Sequence, residues 1–117
     1  RGTALVAHVD GRSQEIVGFA VAGAWHSYEG YARTVEDSIY LSQAVQGHGL
    51  GSRLLAALIE ASRAAGDRTM IALIEAGNVA SVHLHERYGF TIVGTVPQAG
   101  EKLGQLLDLT LMSRSLH

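Results

Sequence analysis

Apolar and polar positions alternate, or apolar residues form short runs, in three early segments of the chain. These segments are residues 4–8, 15–23 and 34–42, and a period of two predicts a β-strand for each. Asp10-Gly11 stands between the first two segments, and this dipeptide is typical of a hairpin turn. The pattern therefore predicts a β-hairpin followed by a third strand.

The second half of the chain changes to helical spacing. Leu50, Leu54 and Leu58 recur every four residues, which predicts an amphipathic helix over residues 50–65 with Gly66 as its C-terminal cap. The wholly apolar segment 69–74 predicts a short strand buried on both faces. Residues 78–88 predict a second helix that ends at Gly89, and residues 90–95 and 105–112 predict two paired strands.

This order of elements predicts an α/β fold with a mixed sheet flanked by helices. The 117 residues are enough for one domain, residues 1–117, and 47% apolar residues can form its core. The net charge of −2 gives no electrostatic basis for binding nucleic acid or an anionic membrane. Without cysteine, a signal peptide or a long apolar run, the chain is expected to be cytoplasmic, with neither membrane nor nucleic acid as a partner.

A glycine-rich run precedes the first predicted helix: Gln46-Gly47-His48-Gly49-Leu50-Gly51-Ser52. Glycine allows close approach of a ligand to the backbone, and the free N–H groups at a helix start attract an anion. No Lys follows the glycines, which excludes a Walker loop. A dinucleotide fingerprint is nearly matched, but the preceding strand carries acidic residues instead of a buried apolar run. The run therefore predicts a site for a phosphorylated cofactor.

Two segments resemble the GNAT acetyltransferases. The pattern Gln46-x-x-Gly49-x-Gly51 at a helix start is similar to the coenzyme A pyrophosphate loop of that superfamily, and Asn78, with Gly89-Phe90 after its helix, is similar to a second GNAT segment. The resemblance implies a GNAT-type mixed sheet and acetyl-CoA as cosubstrate. It also implies a set of cofactor-binding residues: Ile39, Tyr40, Leu41, Gln46, Gly47, His48, Gly49, Leu50, Gly51, Ser52 and Asn78.

Three further segments are similar to the phosphinothricin and methionine sulfoximine N-acetyltransferases. They are Gly23-x-Trp25 with Tyr31-x-x-Thr34-Val35-Glu36, then Leu84-His85-Glu86, then Gly100-x-Lys102-x-Gly104. This resemblance implies a homodimer, an acceptor that is the primary amine of a small amino acid analogue, and an N-terminal strand and helices that precede this chain. It also implies that Trp25, Tyr28, Tyr31 and Lys102 contact the substrate; Tyr28 stands where the family usually has Arg.

The acetyl transfer requires few groups. Glu36 is the candidate base that takes a proton from the amine, and backbone N–H groups of residues 39–41 are candidates to hold the thioester carbonyl. His85 is either the acid that protonates the departing thiolate or a hydrogen-bonded helix histidine. Asn78 is a helix cap, a cofactor ligand, or both.

Metal binding is not predicted. His83 and His85 are two residues apart, so a helix directs them to different sides. Two other functions remain open from the sequence: acetylation of a different amine, such as a protein N-terminus or a polyamine, and a coenzyme A-binding domain without turnover.

Overall fold

The computed structural model describes residues 2–9, 12–25, 29–41 and 49–117. Its described residues form a six-stranded sheet in the order β1-β2-β3-β4-β6-β5. Two α-helices lie in the connections around the fourth strand. The strands and α-helices, in chain order, are β1 (Gly2–Val9), β2 (Arg12–Ala24), β3 (Thr34–Leu41), α1 (Leu50–Ala64), β4 (Thr69–Glu75), α2 (Val79–Arg87), β5 (Thr91–Lys102) and β6 (Gln105–Ser115), with a 3-10 turn at Glu29–Tyr31.

The sheet is mixed, which confirms the predicted α/β class. β1, β2 and β3 pair antiparallel, β3 and β4 pair parallel, and β6 pairs antiparallel with both β4 and β5. The parallel pair is the one joined through α1, because parallel strands need a crossover connection. The predicted pairing of the last two strands is confirmed, although both are longer than predicted. The predicted turn at Asp10-Gly11 lies outside the described residues.

Helix α1 has the predicted amphipathic character, and its inner face buries Leu54, Leu55, Leu58 and Ile59. Gly66 follows it with a φ of 89°, a left-handed conformation that suits glycine. The N–H of Gly66 donates to the Arg63 carbonyl, and the N–H of Asp67 donates to the Ser62 carbonyl, each at 3.0 Å. These two bonds form a Schellman motif, so the predicted C-terminal cap is confirmed.

The core lies on one face of the sheet, beneath both helices. Met70, Ala72 and Ile74 of β4 are buried on that face, together with side chains of α1 and Phe90 after α2. Leu73 points to the other face and is 38% exposed. The prediction that residues 69–74 are buried on both faces was wrong, because both described helices pack on the same side of the strand.

β3 and β4 separate halfway along their length. Their pairing runs from Thr34 opposite Thr69 to Asp37 opposite Ala72 and stops there. Beyond that point β3 stays paired with β2 as far as Leu41, and β4 stays paired with β6 as far as Glu75. The two strands therefore diverge within the sheet and leave a gap near its centre.

Candidate active site

A cleft of about 250 Å³ occupies the gap between β3 and β4. Both strands line it, and α2 closes one side. The structure brings four of the sequence-predicted site residues together there: Glu36, Ile39, Asn78 and His85. Asp37 and Glu75 add two carboxyl groups, so the described lining of the cleft is rich in acidic groups.

Glu36 lies on β3 two residues before the strands have fully parted, and its side chain is half-buried. Successive side chains of a strand alternate between faces, so Glu36 points away from the helices while its neighbours Val35 and Asp37 point toward them. Gly23 of β2 stands directly opposite Glu36. Nothing in the described chain lies within 4 Å of the place where a Cβ on Gly23 would stand. The carboxylate of Glu36 therefore has open space beside it.

The backbone of β3 beyond Asp37 offers further polar groups to the cleft. Residues 38–41 pair with β2 on one side, but the pairing with β4 has ended. The N–H and C=O groups that point toward β4 therefore have no strand partner there in the described chain. Ile39, Tyr40 and Leu41, the predicted backbone ligands, belong to this segment.

The start of α1 presents backbone donors. Gly49 is the residue before the helix, with a φ of 74° and no side-chain cap, and the first turn contains no acidic residue. The first N–H groups of an α-helix have no acceptor within the helix, so they are available to an anion. Leu50 packs against the core and Gly51 is buried, which leaves their backbone as their contribution. The predicted ligands Gln46, Gly47 and His48 lie outside the described residues.

Ser52, another predicted cofactor ligand, already has a partner within the chain. Its Oγ lies 2.5 Å from the phenolic oxygen of Tyr88. This contact joins the first turn of α1 to the residue that ends α2, on the helix face of the sheet. Sequence reasoning did not single out Tyr88, because the two residues are 36 positions apart and no local pattern links them.

Asn78 caps helix α2. Its Oδ1 accepts a hydrogen bond of 3.1 Å from the N–H of Ser81, which is the usual geometry of an N-cap asparagine. The capping interpretation of Asn78 is therefore confirmed. Asn78 is exposed and also lines the cleft, so a second role toward a ligand remains a prediction.

The two roles of Asn78 can be separated by substitution. Asn78→Ala is expected to lower the free energy of unfolding by about 1 kcal/mol, because the cap is lost. Asn78→Asp keeps an acceptor for Ser81 and should retain most of the stability, but it replaces the NH₂ donor with an oxygen. Urea denaturation and calorimetric titration with acetyl-CoA measure the two effects. Unchanged acetyl-CoA affinity in Asn78→Asp would limit Asn78 to capping.

His85 is buried, with only 3% of its surface exposed, and both ring nitrogens have partners. Nδ1 lies 2.8 Å from the Ser81 carbonyl oxygen, and Nε2 lies 3.1 and 3.3 Å from the two carboxyl oxygens of Asp37. The ring of Phe90 contacts the imidazole edge-on, with centroids 4.8 Å apart. The sequence left His85 as either the acid for the thiolate or a hydrogen-bonded helix histidine. The structure gives His85 the hydrogen-bonded environment and also places it in the lining of the cleft.

The electrostatics of His85 follow from this environment. Burial lowers the pKa of His85, while the hydrogen bond and the charge of Asp37, with the Ser81 carbonyl, raise it by more, so the pKa of His85 is raised above 6.5. Sequence reasoning did not select Asp37 as a site residue. The available signal was its place on the same strand face as apolar Val35 and Ile39, where an acid requires a partner.

The predicted substrate residues do not form one group in this chain. Trp25 and Tyr31 contact each other edge-on, with ring centroids 5.5 Å apart. Lys102 ends β5, an edge strand that is separated from β2 by β3, β4 and β6. Tyr28 lies outside the described residues. The structure therefore pairs the two aromatic residues and leaves Lys102 on a different part of the sheet.

The described residues also bear on metal sites and on membrane-spanning helices. No cluster of three or more His, Asp or Glu side chains there is arranged to hold a metal ion. Neither helix in the described part of the chain has the length and apolar character needed to span a membrane.

Known proteins are similar to this chain in sequence and in fold. A methionine sulfoximine/methionine sulfone acetyltransferase of Pseudomonas paraeruginosa is 50% identical over 102 residues, which cover 87% of this chain and 59% of that protein. A phosphinothricin N-acetyltransferase of Streptomyces coelicolor is 37% identical over 107 residues, covering 92% of this chain and 63% of that protein. This chain thus spans less than two thirds of the length of either relative.

A solved structure and a family match agree with these relatives. An acetyltransferase from Salmonella typhimurium, solved with its cofactor acetyl-CoA, superimposes with a TM-score of 0.93 at 42% identity, covering 99% of this chain and 65% of that one. Residues 1–90 match the Acetyltransferase (GNAT) family. The divergent strands and the glycine-led helix thus occur in a chain that belongs to the GNAT acetyltransferase family.

Proposed function

We propose that this protein transfers an acetyl group from acetyl-CoA to the primary amine of a small amino acid analogue. One observation carries the proposal: β3 and β4 part after Asp37 and Ala72, and the resulting cleft holds Glu36 and His85. Phosphinothricin and methionine sulfoximine are the first acceptors to test, because relatives that are 37% and 50% identical carry those names.

The residues of the cleft fit acetyl-CoA. Gly49 leaves open space where a Cβ would stand, with nothing of the described chain within 4 Å, so a pyrophosphate can approach the free N–H groups of α1. Arg53 is exposed in the first turn and adds a positive charge. The backbone groups of residues 38–41 that point toward β4 are suited to the amide groups and the thioester carbonyl of an extended ligand. Acetyl-CoA supplies the acetyl thioester when it is bound.

The side chains then have separate tasks. The neutral amine forms the new C–N bond to the acetyl carbon with its own lone pair, and Glu36 accepts, directly or through water, the proton that the nitrogen loses as the amide forms. As the C–S bond breaks, its electron pair passes to sulfur. His85 supplies the proton that converts the thiolate to the thiol. The products are the N-acetyl amine and coenzyme A, with the proton held on Glu36 returned to solvent.

The proposal is tested in two steps on the purified chain. Calorimetric titration measures acetyl-CoA binding, and release of free thiol measures turnover against a panel of amines. The panel contains phosphinothricin, methionine sulfoximine, methionine sulfone, a polyamine and a peptide with a free N-terminus. We expect binding, and thiol release that is fastest with the amino acid analogues.

The other outcomes separate the alternatives. Faster turnover of the polyamine or the peptide would replace the proposed acceptor with another amine. Binding without thiol release for any amine would favour a coenzyme A-binding domain. Absence of binding would refute the proposal as a whole.

A homodimer and a cytoplasmic location belong to the same proposal. β1 and β5 are the two edge strands of the described sheet, and exposed edges favour pairing with another chain. Lys102 on β5 is distant from the aromatic pair of its own chain in the strand order, so a partner subunit is a candidate to complete the acceptor site. We expect sedimentation velocity at micromolar concentration to give the mass of a dimer. A monomer that turns over acetyl-CoA would contradict this expectation.

A further inference from the structure

Asp37 and His85 form a buried pair that crosses from the sheet to helix α2. Asp37 is the last residue of β3 that pairs with β4, so the pair lies where the two strands begin to diverge. His85 comes from the last turn of α2, and its ring reaches both oxygens of the carboxyl group. The residues are 48 positions apart in sequence, and both are less than a tenth exposed.

The partners of the imidazole determine its protonation. The Ser81 carbonyl only accepts hydrogen bonds, so Nδ1 must carry a hydrogen. An ionised Asp37 carboxylate also only accepts, and opposite that form Nε2 carries a hydrogen as well. An imidazole with hydrogens on both nitrogens is the imidazolium cation. The environment of His85 is therefore built for the charged form, and the negative charge of Asp37 balances it within the protein.

The two ring nitrogens of His85 differ in the length and the direction of their hydrogen bonds. The bond from Nδ1 is 2.8 Å long, whereas Nε2 is shared between two oxygens at 3.1 and 3.3 Å. The bond from Nδ1 stays within α2, whereas the bond from Nε2 reaches across to β3, on the other side of the cleft. The hydrogen on Nε2 lies between two side chains that both line the cleft, so it is the one offered to another acceptor there.

We propose that Asp37 is a positioning residue that holds His85 as an imidazolium in the cleft, ready to give the Nε2 proton to the departing sulfur. The inference rests on the proposed acetyl transfer. In the step itself the N–H bond breaks, its electron pair stays on Nε2, and the S–H bond forms. The neutral imidazole then faces the Asp37 carboxylate with a lone pair, so it takes up a proton from solvent and the cation is restored.

The other charged groups that line the cleft beside the Asp37–His85 pair are carboxyl groups. Glu36 and Glu75 line the same cleft, and Phe90 packs on the ring as an apolar contact. The described lining of the cleft contains no second cation. The raised pKa of His85 is consistent with this arrangement, in which Asp37 is the direct partner.

The decisive variant is Asp37→Asn, which keeps the size of the side chain and removes its charge. Nitrogen-15 NMR of histidine-labelled protein reads both ring nitrogens, and His85→Gln assigns the signal among the six histidines. We expect both nitrogens of His85 to be protonated in the wild type at pH 7, and the titration to move to lower pH in Asp37→Asn. Asp37→Glu, which restores a carboxylate, should move the titration back toward the wild type.

Kinetics and stability give two further readouts. At pH 8 we expect kcat of Asp37→Asn to fall by about 100-fold, with KM for acetyl-CoA unchanged. Because the pKa of His85 is raised in the folded state, the Asp37–His85 pair stabilises the fold fully below about pH 6.5. This stabilisation is lost as the pH rises through the folded-state pKa of His85. The stability difference between wild type and Asp37→Asn should therefore narrow as the pH increases. The matched control is Glu86→Gln, which removes an exposed carboxylate from the residue next to His85 in sequence.

Each contrary result has a distinct meaning. A His85 with one protonated nitrogen at pH 7 in the wild type would overturn the inference, even if Asp37→Asn failed to fold. An Asp37→Asn protein that is less stable but keeps the wild-type pH profile of kcat would reduce the pair to a structural role and also overturn it. A wild type that releases no thiol with any amine would instead refute the proposed function, which the NMR measurement does not depend on.

Discussion

Glu36→Gln is expected to lower kcat by about 10²- to 10⁴-fold while leaving the affinity for acetyl-CoA unchanged. Glutamine keeps the size and the hydrogen-bonding reach of the side chain, but it does not accept the proton of the amine. The strand position of Glu36 does not depend on its charge, because Gly23 and Ile71 flank it through backbone pairing. The loss should therefore appear in the chemical step alone.

Thiol release under saturating acetyl-CoA, together with calorimetric titration, measures this effect. Glu86→Gln removes an exposed carboxylate from α2 and serves as the control for a change in overall charge. Glu75→Gln removes another of the carboxyl groups that line the cleft together with Glu36. A normal rate in Glu36→Gln with a reduced rate in Glu75→Gln would assign the base to Glu75.

Local pattern was sufficient for most of the fold. The four-residue spacing of leucines located α1, and Gly66 marked its end, because helix periodicity and left-handed caps depend on neighbours in sequence. The order of elements also gave the mixed sheet. The burial of β4 was not predictable in this way. Its side chains are apolar on both faces, and only the packing of the helices shows which face is covered.

The same distinction between local pattern and tertiary packing applies to the candidate site. Glu36 and Asn78 were identifiable from segments that resemble the family. The pairing of Asp37 with His85 was not, because it joins a strand and a helix through tertiary packing. The divergence of β3 from β4 is likewise a property of the sheet, since each strand remains fully paired on its other side. The sequence indicated candidate residues for the chemistry, and the tertiary structure determined which of them meet.

The second large effect is expected at the start of α1, where Gly49→Val should abolish acetyl-CoA binding. A Cβ on Gly49 meets nothing within 4 Å in the described chain, so the described residues leave space for it. That space is the approach to the free N–H groups of the helix, and a pyrophosphate needs it. Acetyl-CoA at a free concentration of about 100 times its Kd stabilises the native state by about 2.7 kcal/mol. The rise in melting temperature that acetyl-CoA causes in the wild type should therefore disappear in Gly49→Val.

Backbone strain is the competing explanation, because Gly49 has a φ of 74° and a valine there costs about 1–2 kcal/mol. Gly104 offers a matched control, since its φ is 79° and a Cβ there also meets nothing within 4 Å. It lies in the turn between β5 and β6, next to Leu103, which is 94% exposed. Gly104→Val should therefore lose similar stability and still bind acetyl-CoA in calorimetric titration. Equal acetyl-CoA affinity in the two variants would show that the pyrophosphate does not bind at the start of α1.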